Sequence, residues 1–370
     1  MSIKTAYSLK EDIRESVSDI KNQLRDIKPK MVIYFASAKY SAEKLSAEMQ
    51  KAFDKAAVFG NTTAGEIVTG KMLKKSLVAM AFDSSSIEDV KIEVVENIKS
   101  DGDKNLKKAF ESFEKYYGIK MSDLDYKKFV GVVLIDGLSM SEEKIMDSIG
   151  NSTNIFFIGG SAGDDLAFKQ TNLYANGKSY ANAAILALLK PAKEFDFIKT
   201  QSFSSLDKKL TATKADESSR RVFEFNGRSA AEAYAEALGV KCEDASNYFM
   251  SNPVGLMVDE VPYVRSPQQI KEKSMCFYCN IKEGMELSVL KSTDIIKDTR
   301  KAVEEKKKEL GSISGIINFH CILRTLELDQ KGLAEEYGKI FSDIPTIGFS
   351  TYGEEFIGHI NQTSTMLVFK

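Results

Sequence analysis

The chain has no tryptophan, two histidines, four cysteines and six prolines in 370 residues. Four cysteines in so long a chain do not make a disulfide scaffold and point to a reduced, cytoplasmic protein. The first residues, "MSIKTAYSLKEDIRESVSDI", lack the apolar core of a signal peptide. No apolar run reaches the roughly 18–20 residues of a membrane span. The best candidate, "ANAAILALL", has strand length. A net charge of −2 offers no basic field for nucleic acid or acidic lipid. In a protein kept from export, the N-x-[ST] triplets at Asn61, Asn151 and Asn361 have no bearing on glycosylation. What is present suffices for a core: 43% of residues are hydrophobic and 28% charged, in a length of about two ordinary domains.

One pattern returns three times. An amphipathic helix ("SLKEDIRESVSDIKNQL", "DKNLKKAFESFEKYYG", "STDIIKDTRKAVEEKKKELG") leads into an apolar strand ("KMVIYFAS", "FVGVVLIDG", "SGIINFHC"). A second helix follows ("SAEKLSAEMQKAF", "SEEKIMDSIG", "QKGLAEEYGKIF"), then an apolar step ending in glycine and hydroxyl residues, then a closing strand. Ser or Ser-Thr ahead of acidic residues serves as the helix cap in the first and third copies. This order predicts an α/β fold of two halves, with mixed sheets flanked by helices, built from weakly repeated α-β-α-β-β units. Asn176-Gly177 predicts a hairpin before the second closing strand. The halves divide at 195/196, and alternating strands with one helix at "GRSAAEAYAEALG" fill the stretch before the third copy.

The glycine-rich steps share a composition. Gly60–Glu66 (GNTTAGE) and Gly348–Glu354 (GFSTYGE) have one spacing, and Gly159–Asp164 (GGSAGD) is one residue shorter. Such turns permit close backbone approach and can present consecutive N–H groups to an anion. They also serve as tight strand exits capped by Ser or Thr. Ser161 sits in a G-x-S-x-G, the nucleophile elbow of a serine hydrolase, but the following "DDLAFKQTNLYANGKSY" reads as turn and hairpin where the elbow needs a helix. Gly177-Lys178-Ser179 is only the tail of a phosphate-binding loop. The pair Cys276 and Cys279 lies in a strand pattern with no second pair at zinc spacing. His320 precedes Cys321 at a strand end, where a core histidine is the ordinary case.

A carboxylate ligand fits the remaining polar residues. Arg324, just after an apolar strand, and Arg265, in the turn-like "YVRSP", are candidate carboxylate clamps, with surface salt bridges as the alternative. Glu354, Glu66 and Asp164 are candidates for an ammonium group. Ser161, Ser350, Thr351 and Tyr352 supply uncharged contacts, and Asn361, Gln362 and Thr363 return to the same place as the last strand begins.

The chain also resembles the FIST sensory family. The C-terminal half (196–370) is similar to the FIST C-terminal domain through "FNGRSAAEAYAEALG", "NPVGL", "YVRSP", "INFHCILRTLEL", "IPTIGFSTYGE" and "HINQTSTMLVF". The N-terminal half (1–195) is similar to the FIST N-terminal domain through "GNTTAGEI", "FIGGSAGDD" and "NGKSYANAAILALL". The resemblance implies a stand-alone sensory module, not an enzyme. Its ligand would be a small metabolite, an amino acid above all. Its output would be a separate histidine kinase, diguanylate cyclase or chemotaxis receptor. The resemblance also raises haem as an alternative cofactor, with His359 or His320 as axial ligand.

Overall fold

The computed structural model describes residues 2–370. The first repeat runs β1 (Ile3–Ser8), α1 (Ile13–Gln23), β2 (Met31–Ser37), α2 (Ala42–Ala52), β3 (Ala57–Thr63), a hairpin β4 (Glu66–Val68) and β5 (Lys71–Leu73), and β6 (Leu77–Phe82). The second runs β7 (Ile87–Glu96), α3 (Ile98–Tyr117), β8 (Val130–Ile135), α4 (Glu142–Gly150), β9 (Phe157–Ser161), β10 (Leu173–Ala175), β11 (Lys178–Tyr180) and β12 (Ala183–Pro191). A third begins with β13 (Phe195–Gln201) and is interrupted. The interruption holds β14 (Phe203–Asp216), β15 (Arg221–Phe225), β16 (Arg228–Ser229), α5 (Ala230–Leu238), β17 (Val254–Val258), β18 (Val261–Arg265), β19 (Pro267–Lys271), β20 (Ser274–Phe277) and β21 (Glu286–Ser292). The repeat then resumes with α6 (Ile295–Leu310), β22 (Gly315–Cys321), α7 (Ile322–Lys331), α8 (Ala334–Lys339), β23 (Thr346–Thr351), β24 (Glu354–Phe356), β25 (Gly358–Ile360) and β26 (Thr363–Phe369).

Compactness follows this interruption and not chain order. One unit holds the chain up to Lys199, Arg300–His359 and Ser364–Lys370; the other holds Thr200–Thr299 and Ile360–Thr363. The sequence boundary at 195/196 lies close to where the chain leaves the first unit, and the chain re-enters it inside α6. The second unit is an eight-stranded sheet packed by α5, with Phe225, Tyr234, Met275 and Leu287 buried between them.

In the first unit each repeat builds the same sheet. A central strand pairs in parallel with the next strand and antiparallel with the closing strand: β2 with β3 and β6, β8 with β9 and β12, β22 with β23 and β26. The leading strands β1, β7 and β13 cover the closing strands; the sequence pattern did not separate β1 and β7 from the helices behind them, whereas β13 falls in the stretch read as alternating strands. The hairpins are exchanged in a cycle. β4 of the first repeat pairs with β23 of the third, β10 of the second with β3 of the first, and β24 of the third with β9 of the second. The second hairpin turns at Asn176 (φ 53°) and Gly177 (φ 76°), both left-handed, as the Asn-Gly pair predicts.

All seven residues of β2 and of β22 are buried, because both sheet faces are covered. The inner faces of the three sheets meet in one core, where Phe35, Phe349, Val132, Leu134, Ile317 and Phe319 pack together. The outer faces take helices: Val32, Tyr34 and Ala36 pack on α1 and α2, and Val133 and Ile135 on α3 and α4. The helix caps differ from expectation. Asp12 caps α1 by accepting from Arg14 N and Glu15 N, while Ser8 donates its hydroxyl to Asp19. Asp294 similarly accepts from Lys297 N at the start of α6. A carboxylate is the stronger acceptor for these N–H groups and also favours the positive end of the helix.

Candidate functional site

The three glycine-rich turns lie at equivalent strand ends. Gly60 stands opposite Tyr34, Gly159 opposite Val133 and Gly348 opposite Asn318 in the parallel pairs. At each, an added Cβ would overlap the carbonyl oxygen of that partner. Only glycine fits so close an approach, which explains its recurrence.

Beyond the glycines the turns bond to one another in a ring. Ala64 N donates to Ser350 O (3.2 Å) and Ser350 N to Gly65 O (2.8 Å), joining the first and third turns. Ser161 N donates to Gly353 O (2.8 Å) and Tyr352 N to Ser161 O (3.1 Å), joining the third and second. Gly163 N donates to Thr62 O (3.0 Å) and Asp165 N to Thr63 O (2.9 Å), closing the cycle. These six N–H groups are therefore spent on neighbouring turns and not offered to an anion.

Two acids lock their own turns. Glu66 accepts from the Thr63 hydroxyl, and from Ser76 N (3.0 Å) and Ser76 Oγ (2.6 Å). Glu354 accepts from Thr351 Oγ1 (2.5 Å) at the same spacing in the third repeat. Asp164 holds the 162–172 loop: it accepts from Phe168 N (2.9 Å), Lys169 N (2.6 Å), Gln170 N (3.0 Å) and Tyr352 Oη (2.5 Å). That loop places Asp165, Leu166 and Phe168 at positive φ, and exposes Leu166 and Phe168, the latter stacked on Tyr352. Left-handed backbone at Leu and Phe costs about 1–2 kcal/mol each. No helix follows Ser161.

On the outer face, beneath the helix that follows each central strand, the repeats diverge. The hydroxyls Thr62, Ser161 and Ser350 occupy equivalent places, opposite Ala36, Ile135 and His320. In the first repeat the neighbours are two buried, stacked tyrosines, Tyr34 and Tyr174, with ring centroids 5.2 Å apart. In the second they are Glu142, Glu355 and His359. In the third the space is polar throughout. Ser350 shares a hydrogen bond with Thr325 of α7 (2.7 Å). Asn318 donates to Tyr337 Oη (3.2 Å) and accepts from Ser364 Oγ (2.7 Å). The His320 ring packs at a tilt against Tyr337, and neither of its ring nitrogens has a hydrogen-bond partner among the described residues. Arg324, in the first turn of α7, is 1% exposed and is the largest fully buried side chain among the described residues. Burial and the Arg324 charge hold His320 well below the usual imidazole pKa, so its ring is neutral.

Burial pushes the Glu66 carboxyl up to about 7, against the opposing hydrogen bonds from Ser76 and Thr63. Glu355 is likewise raised by burial, and its negative charge lifts His359 to about 9 although burial of the imidazole opposes this. Both Glu66 and His359 bind their protons more tightly when folded. Their stabilisation is complete below the unfolded pKa and is lost as pH rises through about 7 and about 9 respectively. The Glu66 share is on the order of 3 kcal/mol. The melting temperature is therefore expected to fall between pH 5 and 7, and to fall less in Glu66→Gln, with the loss near pH 9 kept in both. Equal slopes from pH 5 to 7 would show that Glu66 titrates normally.

Of the residues singled out in the sequence, Ser161, Asp164, Arg324, Ser350, Thr351, Tyr352 and Glu354 belong to the first unit. Arg265, on β18 and not in a turn, belongs to the second, as do Asn361, Gln362 and Thr363; there Gln362 accepts from Ser266 Oγ (2.8 Å) and donates to Met250 O (2.9 Å). Arg324 lies in a helix, because α7 starts directly after β22 and ahead of the segment read as helical. Sequence reasoning missed Glu355, Glu142, Thr325, Asn318 and Tyr337. Both histidines are buried, His359 Nδ1 lying 3.0 Å from Glu355 and His320 packed against Tyr337, so neither ring faces an open space that would admit a haem. Open grooves of about 660 Å³ lie at the amino ends of β2 and β3 and beside Tyr117, without a buried polar cluster.

Two family models match the chain. The FIST N domain matches residues 30–228 and the FIST C domain residues 230–356. An uncharacterized protein of Methanocaldococcus jannaschii is 27% identical over 210 residues, covering 53% of this chain and 40% of that relative's length. No helix among the described residues is long and apolar enough to cross a membrane. The two matches together take in most of the chain, which belongs to the FIST family, whose domains are sensory domains of signal transduction proteins.

Proposed function

We propose that the protein is a sensor for a small carboxylate-bearing metabolite, an amino acid being the leading candidate. The ligand is held on the outer face of β22 and β23 beneath the first turn of α7. One observation carries this reading: a guanidinium, Arg324, is buried beside a neutral histidine on the face where Ser350, Thr325, Asn318 and Tyr337 form a buried polar cluster. The equivalent faces of the first two repeats are largely aliphatic or aromatic at the corresponding central-strand positions. A guanidinium is the side chain best shaped to bind a carboxylate in a bidentate manner. Carboxyl ends of strands are also where α/β sheets form ligand crevices. The groups are closed off from solvent, so binding requires the start of α7 to move. That movement would carry the signal to a separate output protein, such as a histidine kinase, diguanylate cyclase or chemotaxis receptor.

The test is a melting-temperature screen of amino acids and small organic acids. At least one carboxylate should raise the melting temperature, and its primary amide should not. No response to any carboxylate, or an equal response to the amide, would contradict the reading.

The reading includes no covalent chemistry. Ser161 contacts carboxylates and not an imidazole, and the helix of a nucleophile elbow does not follow it. A fluorophosphonate probe should leave the protein unlabelled. Stoichiometric labelling that disappears in Ser161→Ala would establish a hydrolase instead.

A further inference from the structure

Two carboxylates crowd one hydroxyl in the second repeat. Ser161 Oγ lies 3.2 Å from Glu355 Oε1 and 3.4 Å from Glu142 Oε1. A hydroxyl has one hydrogen, so it satisfies one of these oxygens and turns a lone pair toward the other. Glu355 Oε1 is also 3.0 Å from His359 Nδ1. Glu355 Oε2 has no partner among the described residues, although the side chain is fully buried. A buried carboxylate oxygen without a donor is strongly disfavoured.

The sister repeats show that the turn does not need these acids. Thr62 Oγ1 reaches the backbone of Asn172, accepting from its N at 2.9 Å, and Ser350 Oγ pairs with Thr325. At the hairpin position where the second repeat's sheet receives Glu355, the other two sheets receive Tyr174 and Ile67. Glu142 and Glu143 both add negative potential at the Glu355–His359 pair. The side chains form no trio of His, Cys, Asp or Glu suited to a metal ion among the described residues.

We infer that this buried cluster binds a primary ammonium group, whose N–H donors match the orphaned Glu355 Oε2, the Glu142 carboxylate and the acceptor side of Ser161 Oγ. The ring of His359 closes one wall by lying against Gly353, where any Cβ would overlap it. The ligand is either the free ammonium ion or the head of a small amine, and the site is independent of the carboxylate reading at Arg324.

The test uses the full chain, melted at one ionic strength in the chlorides of ammonium, methylammonium, sodium and tetramethylammonium. Methylammonium should raise the melting temperature by about 3 °C or more over sodium and tetramethylammonium at concentrations far above Kd. An equal rise with ammonium would identify the free ion as sufficient; a rise with methylammonium alone would identify an amine. Glu355→Gln and Ser161→Ala, each still melting cooperatively, should lose the difference. Equal melting of the wild type in all four salts, or a shift that survives in both variants, would overturn the inference.

Discussion

Alanine at Gly159 is expected to destabilise the protein by more than about 3 kcal/mol and to drive it out of the soluble fraction. The added Cβ overlaps the Val133 carbonyl oxygen and comes within 2.9 Å of Val133 Cγ1. Neither can yield easily. Val133 sits on the central strand β8, held on both sides by β9 and β12, and its side chain is packed in the helix-facing core. Total stability is typically 5–15 kcal/mol, so a loss of this size is a large fraction of it. Gly60→Ala meets the same obstacle at Tyr34 O. Gly150 is the control: it ends α4, has no positive φ and nothing within 4 Å of an added Cβ. Gly150→Ala should be neutral or stabilising by about 0.5 kcal/mol. A Gly159→Ala protein that is soluble and melts within a few degrees of the wild type would show that the glycines do not set the strand approach.

Those glycines were also what made the repeat legible. A residue that must be glycine at one strand position leaves a mark at each copy, and the apolar strands between them have a clear length and pattern. The leading strand β1 left no such mark. Ile3–Ser8 is short, partly exposed and directly followed by polar sequence, so its strand character comes from pairing with β6. The exchange of hairpins between repeats was illegible for a related reason: β4, β10 and β24 are three residues each, and their partners lie far away in sequence. This exchange also hid part of the candidate sites. Glu354 and Glu355 both lie in β24, which joins the sheet of the second repeat, yet the Glu354 side chain locks its own turn and the Glu355 side chain reaches Ser161. Arg324 could be chosen by residue type alone, whereas its surroundings depend on Asn318, Thr325 and Tyr337, which carry no signal in one sequence.

The strongest effect on function is expected at Arg324. If its guanidinium is the clamp, truncation removes a charge-assisted hydrogen bond worth about 1.5–3 kcal/mol to a buried partner. That corresponds to roughly 10–100-fold in Kd. Arg324→Lys keeps the charge but loses the bidentate fork, so it should recover only part of the affinity. Both variants also alter folding, because a buried cation is replaced. Removing the charge is expected to let the neighbouring His320 imidazole titrate closer to its ordinary pKa, since Arg324 is one of the two causes of its depression. The measurement that bears most directly on the account is calorimetric titration of the best carboxylate from the melting screen into wild type, Arg324→Lys and Arg324→Ala, each first shown to melt cooperatively. The account predicts a graded loss, with Arg324→Ala weakest by roughly 10–100-fold. Undiminished binding to Arg324→Ala would place the ligand elsewhere and contradict it.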